Sequence, residues 1–153
     1  MKKLSLIILV LGIAFACKKK DPASTTYPIA ATAVTTFSID GHAATNLRHA
    51  SFKNDSAHYG VIAYDTINGS PEIQIIFSGT VTPGSGMYQI ITGIVGAGKC
   101  SFTLLDTSHQ SSASSGFVNV TTSNTAPNNV ATFSNVAVGG GAGNHIISGS
   151  ITY

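Results

Sequence analysis

The sequence has no tryptophan, only two cysteines and five prolines, and just 9% of its 153 residues are charged. Charge this sparse excludes nucleic acid as a partner, because that affinity rests on neutralising phosphates with Lys and Arg. The two cysteines, Cys17 and Cys100, cannot make a disulfide framework. Without Trp the usual sugar-stacking side chain is missing, and only tyrosines such as Tyr59, Tyr64 and Tyr88 could stand in. A helical bundle would need far more Ala, Leu, Glu and Lys than the chain supplies. What is abundant is 18 Ser, 17 Thr and 16 Gly within a 43% hydrophobic composition. That mixture suits one small β domain with polar, uncharged faces, and the length allows one domain comfortably.

The N-terminus reads as an address. Met1-Lys2-Lys3 is a short basic start, and Leu4 to Ala16 is an apolar stretch of thirteen residues interrupted by Ser5. Thirteen residues are too few to cross a bilayer core, which takes about 20, so 1–16 is expected to be a signal peptide. The stretch ends Ala14-Phe15-Ala16-Cys17, with small residues one and three places before the cysteine. This resembles a bacterial lipoprotein signal, although Ala14 stands where Leu is usual. The resemblance implies that Cys17 becomes the first residue of the mature chain and carries palmitate-type acyl chains. Lys18-Lys19-Lys20-Asp21-Pro22 opens a polar stretch to residue 33, too poor in apolar surface to fold. Residues 17–33 are therefore expected to be a disordered tether. A cysteine followed by Lys and Asp is similar to the start of small outer-membrane lipoproteins of the Bacteroidota. The implied location is the cell envelope, anchored in the outer membrane by lipid.

Removing signal and tether also removes the apparent basicity. Past residue 33 only Arg48, Lys53 and Lys99 oppose Asp40, Asp55, Asp65, Glu72 and Asp106. With Cys17 acylated, Cys100 has no partner in the chain and is expected to be a small buried hydrophobe.

From residue 34 to 153 the chain becomes short runs of β-branched and aromatic residues. Gly, Pro, Asn and Asp break them every 8–12 residues or so, the pattern of an all-β domain. Phe37 and Ile39 share a face before Asp40-Gly41, a two-residue hairpin signal. Glu72 to Ser78 is the clearest strand, with Ile73, Ile75 and Phe77 on one side and Gln74 and Ile76 on the other. Further strands are expected over 35–39, 42–50, 58–66, 87–92, 99–106, 116–122, 130–138 and 144–153. A Ser-rich loop is expected over 107–114 and a flexible Gly loop over 139–143. The prediction is an antiparallel β-sandwich or small barrel of about nine strands with meander connections. Short loops favour antiparallel pairing, because parallel pairs need long crossovers.

Few patterns point to chemistry. Gly93-Ile94-Val95-Gly96-Ala97-Gly98-Lys99 spells a phosphate-binding loop, which requires a following Ser or Thr and a helix N-terminus. Here Cys100 follows and the next segment alternates like a strand, so a Gly-rich hairpin loop is expected instead. His42, His49, His58, His109 and His145 have no metal-binding spacing, so neither a metal nor another cofactor is expected. No G-x-S-x-G elbow occurs, and the few carboxylates sit where turns favour Asp. An enzyme is not expected. Asp55-Ser56-Ala57 and Asp65-Thr66-Ile67 resemble the short O-glycosylation triplets of Bacteroidota envelope proteins, which makes Ser56 and Thr66 candidate acceptors.

Phe37-Ser38-Ile39-Asp40-Gly41, Gly86-Met87-Tyr88-Gln89-Ile90 and the closing Ile146-Ile147-Ser148-Gly149-Ser150-Ile151-Thr152-Tyr153 are similar to segments of small Bacteroidota β-lipoproteins. That resemblance implies no activity. The expected function is a non-catalytic, lipid-anchored envelope module that binds a glycan or a protein. The alternative is a lipocalin-like carrier, in which a closed barrel holds one apolar ligand.

Overall fold

In a computed structural model, which describes residues 35–53, 55–67, 70–123 and 129–153, the chain is all β. The signal segment, the tether and Cys17 lie outside the described residues. The eleven strands are β1 (Thr36–Ile39), β2 (His42–Ala43), β3 (Leu47–Lys53), β4 (His58–Asp65), β5 (Glu72–Ser78), β6 (Gly86–Ile90), β7 (Lys99–Asp106), β8 (His109–Ala113), β9 (Phe117–Thr121), β10 (Val130–Gly140) and β11 (His145–Thr152).

The hairpin signal at Asp40-Gly41 is realised. Both residues have positive φ, 53° and 80°, and β1 turns back onto β2 with Ser38 opposite Ala43. The expected second strand breaks after Ala43 because Asn46 takes a left-handed conformation with φ 53°. The chain then restarts as β3, paired with β4.

The strands form one sheet in the order β2-β1-β11-β10-β9-β6-β7-β5-β4-β3, with β8 inserted between β7 and β10. The sheet folds over so that β1, β11, β10 and β9 face β3, β4, β5 and β7. The stacking of Phe102 of β7 edge-on against Phe133 of β10, with centroids 5.0 Å apart, shows that face-to-face packing. Tyr59 of β4 meets Tyr153, just past β11, at 6.3 Å. Among the described residues β2 and β3, the two ends of the strand order, do not pair with each other, so the sheet is a folded sandwich and not a closed barrel.

Period-two patterning places the core. On β5, Ile73, Ile75 and Phe77 are fully buried, and opposite them lie Leu104, Phe102 and Cys100 of β7. Val118 and Val120 of β9 and Ala131 and Phe133 of β10 close the other side. Cys100 is the expected buried hydrophobe, and burial pushes its thiol pKa up to about 12. Gly149 shows why the closing strand needs a glycine. It lies between Phe37 and Phe133 in the ladder, and a Cβ there would run into the backbone of Thr36 and Phe37.

Three local features differ from the pattern expected from sequence. The Ser-rich segment holds a strand, β8, although it lacks β-branched and aromatic residues. It forms because it fills a gap, pairing Thr103 with Ser112 on one side and Val138 with Ala113 on the other. The same pairing extends β10 through Gly139 and Gly140, part of the expected Gly loop. The β6–β7 connection is not a hairpin. Gln89 lies beside Lys99 and Ile90 beside Cys100 in parallel, so residues 91–98 cross over the outside of the sheet. Only that short parallel contact departs from antiparallel pairing. Finally, β10 carries a bulge between Phe133 and Val136, where Asn135 has φ 51° and donates its N–H to the Ser148 hydroxyl at 2.8 Å.

Candidate functional site

The outer face of β5, β7 and β8 carries a row of polar side chains fixed by strand register. Gln74, Thr103 and Ser112 stand directly opposite one another across the three strands, and Gly139 of β10 continues the row. Neighbouring strands lie about 4.8 Å apart, so the Gln74 amide and the Ser112 hydroxyl flank Thr103, itself buried, across the row. In the next row Ile76 faces Ser101. The 91–98 crossover runs alongside, bringing Ile91, Thr92 and Gly93 to this surface.

Three adjoining depressions follow from this arrangement. The central one, about 270 Å³, is lined by Gln74, Ile76, Ser101, Thr103, Gln110 and Ser112. A second, about 290 Å³, shares Ile76, Gly93 and Ser101 with it and reaches Asp55 and His58. The third, about 540 Å³, shares Ser112 and is lined also by Ser114, Asn144, His145 and Ile146. Gly139 creates room in it: the Asn144 amide lies over that glycine, where a Cβ would come within 2.9 Å of its Oδ1. Together the depressions make an open groove of small-ligand scale. Ile76, placed on the outward face by its position in β5, is half-buried in the groove floor.

Both ends of the groove hold a His–Asp pair. At one end Asp55 closes a turn, accepting the Ala57 N–H at 2.6 Å and His58 Nδ1 at 2.7 Å. The His58 bond, with help from the backbone, holds the Asp55 pKa below the usual carboxylate range. At the other end His145 Nδ1–H donates to Asp40 Oδ2 at 2.7 Å and Nε2–H to the Ala142 carbonyl at 2.9 Å. Asp40 Oδ1 accepts the Ile146 N–H at 2.8 Å. With acceptors on both ring nitrogens, the protonated imidazole is favoured. The Asp40 hydrogen bond accordingly raises the His145 pKa and lowers that of Asp40.

His145 has no nitrogen free to accept a serine proton. Among the described residues no group of three or more His, Cys, Asp or Glu is placed to hold a metal ion.

The residues singled out from the sequence fall as follows. Ser56 is exposed in the turn closed by Asp55. Thr66 is exposed too, but its hydroxyl donates to the Asn46 carbonyl at 2.9 Å. Lys99 is exposed, and a strand rather than a helix follows the Gly-rich segment. His49 is buried on the core side of β3 with its Nε2 unpartnered, and desolvation lowers its pKa. The groove residues were not singled out, because their proximity arises from register between strands far apart in sequence. The chain matches no protein-family model, no curated protein and no solved structure.

Proposed function

We propose that this protein is a lipid-anchored envelope module, tethered through Cys17, that binds a partner non-catalytically in the outer groove. The observation that carries the binding role is the groove itself: adjoining depressions of about 270, 290 and 540 Å³ on the outer face. The side chains that would otherwise enclose a ligand cavity are instead packed against one another, with Phe77, Phe102, Ile73 and Ile75 at the centre. This favours the module over a lipocalin-like carrier. The anchor rests on the Ala14-Phe15-Ala16-Cys17 signal and the polar stretch after it. Acyl chains contribute about 0.8 kcal/mol per buried CH₂, and stable attachment takes more than one.

Full-length protein labelled in cells with a clickable fatty acid tests both parts when used as bait on native envelope extract. The wild type is expected to carry label, Cys17→Ser to lose it, and the wild type to enrich an envelope component. Ser112→Trp, which fills the groove, should keep the label and the melting temperature but lose that component. Equal recovery by a folded Ser112→Trp bait would rule out the groove, and label retained in Cys17→Ser would rule out the anchor.

A further inference from the structure

The chemistry of the groove lining narrows the partner to a class, on the footing that the groove is a binding site. Among the described residues no lysine or arginine lines any of its three depressions. Among the described residues the only acidic one in the lining is Asp55, whose two oxygens already accept from Ala57 and His58. The other terminal carboxylate, Asp40, is likewise committed to His145 and Ile146. The imidazolium of His145, the cation the lining does hold, has both N–H groups committed to Asp40 and Ala142, so among the described residues a phosphate, a uronate or another anion finds no free cation to pair with, and a basic peptide no unpaired carboxylate.

The lining is instead rich in neutral groups that both donate and accept. Among the described residues no intramolecular hydrogen bond engages the side chains of Gln74, Ser101, Ser114 or Asn144. Gln110 and Ser112 touch only at a long 3.4 Å. An acyl chain laid over these groups would strip them of hydrogen bonds without replacement, which is costly for each group buried unpaired. A polyhydroxylated ligand would replace those bonds one for one. The apolar residues are interspersed with the polar ones: Ile76 in the floor, Ile94 and Ile146 on the rims. This mixture suits a sugar ring, which offers C–H faces as well as hydroxyl edges. The groove is also open along its length and spans three adjoining depressions, as a chain-like ligand requires.

We infer that the outer groove from His58 to His145 is a binding site for a neutral oligosaccharide, held by the Gln74–Thr103–Ser112 row and Asn144 and packed on Ile76. Amide and hydroxyl groups along the row engage successive hydroxyls, and the lack of a free cation among the described residues discriminates against uronate- and phosphate-bearing glycans.

Titration of the full chain in detergent micelles, followed by amide chemical shifts, tests this. The probes are neutral hexasaccharides of glucose, mannose and xylose, a uronate-containing hexasaccharide, and a neutral Gly/Ser octapeptide. At least one neutral hexasaccharide is expected to saturate, shifting residues 101–114 and 139–146. The uronate oligomer should bind at least tenfold more weakly. Asn144→Ala and Gln74→Ala should each weaken the neutral ligand by about fivefold or more, whereas Thr132→Ala, on the outer face of β10 away from the groove, should not. Failure of all neutral hexasaccharides, equal binding of the uronate oligomer, or indifference to the groove variants would each overturn the inference. Saturable, groove-dependent binding of the octapeptide alone would overturn the sugar assignment and leave the binding module standing.

Discussion

At the scale of single residues, long-range hydrogen bonds to charged side chains tie turns and strands that are distant in sequence. Asp40 and His145 are 105 residues apart, yet their 2.7 Å contact ties the β1–β2 turn to the entry of β11. The sequence shows Asp40-Gly41 as a turn, because Asp and Gly tolerate positive φ. It does not show that the carboxylate also anchors His145 and Ile146, which depends on β1 lying beside β11. The pair gives a pH signature. The folded-state pKa of His145 is raised, so its contribution is complete below the unfolded value of about 6.5 and is lost as pH rises through the folded value. His49 acts oppositely: its folded pKa is depressed, so its contribution is present above about 6.5 and is lost as pH falls through the folded value. Thermal melts from pH 5 to 9 should therefore show His145→Gln below the wild type at pH 5, with the gap closing as pH rises. A gap that is constant across the range would mean that the clasp does not depend on the imidazolium.

The strands show where local patterning is enough and where it is not. β5 and β9 were readable because Ile73, Ile75 and Phe77, or Val118 and Val120, alternate with residues on the outer face and meet the core on one side only. β8 was not, since His109-Gln110-Ser111-Ser112 has no strand propensity of its own. Its pairing with both β7 and β10 supplies what propensity lacks. The bulge at Asn135 inserts one residue into an otherwise regular alternation, putting Ser134 and Asn135 on the exposed side together. From sequence, residues 91–98 read as a hairpin because Gly-rich composition marks a loop but not the direction of the strand after it, and the parallel register makes them a crossover. The same crossover explains Ile76, half-buried beside Gly93 and Val95. These positions have graded consequences. Ile75→Ala should cost about 2–5 kcal/mol and Phe77→Ala about 3–5, a large share of the roughly 5–15 kcal/mol available to a small domain. Ile76→Ala should cost about 1 kcal/mol and Gln74→Ala less than about 0.5. Urea unfolding of the four variants checks the order, and an Ile76→Ala loss equal to that of Ile75→Ala would mean both faces of β5 are core.

At the scale of the molecule, charge is nearly confined to one part of the fold. From Thr107 to Tyr153 the sequence contains no Asp, Glu, Lys or Arg. The strands built from that stretch are β8, which bridges β7 and β10, and β9 to β11 on one side of the sandwich, and they form one end of the groove. The all-β class and the one-sided core were legible in the sequence because both follow from period two within a strand. The groove was not, since Gln74, Thr103, Ser112 and Asn144 belong to different parts of the chain and only register gathers them. Site-specific photocrosslinking in living cells tests most directly whether this surface is where the protein works. A diazirine amino acid is placed at position 114, on the groove rim, or at position 132, on the outer face of β10, in the full-length chain. The expected result is an adduct with an envelope component from position 114 and none from position 132. An adduct from position 132 with none from position 114 would contradict it.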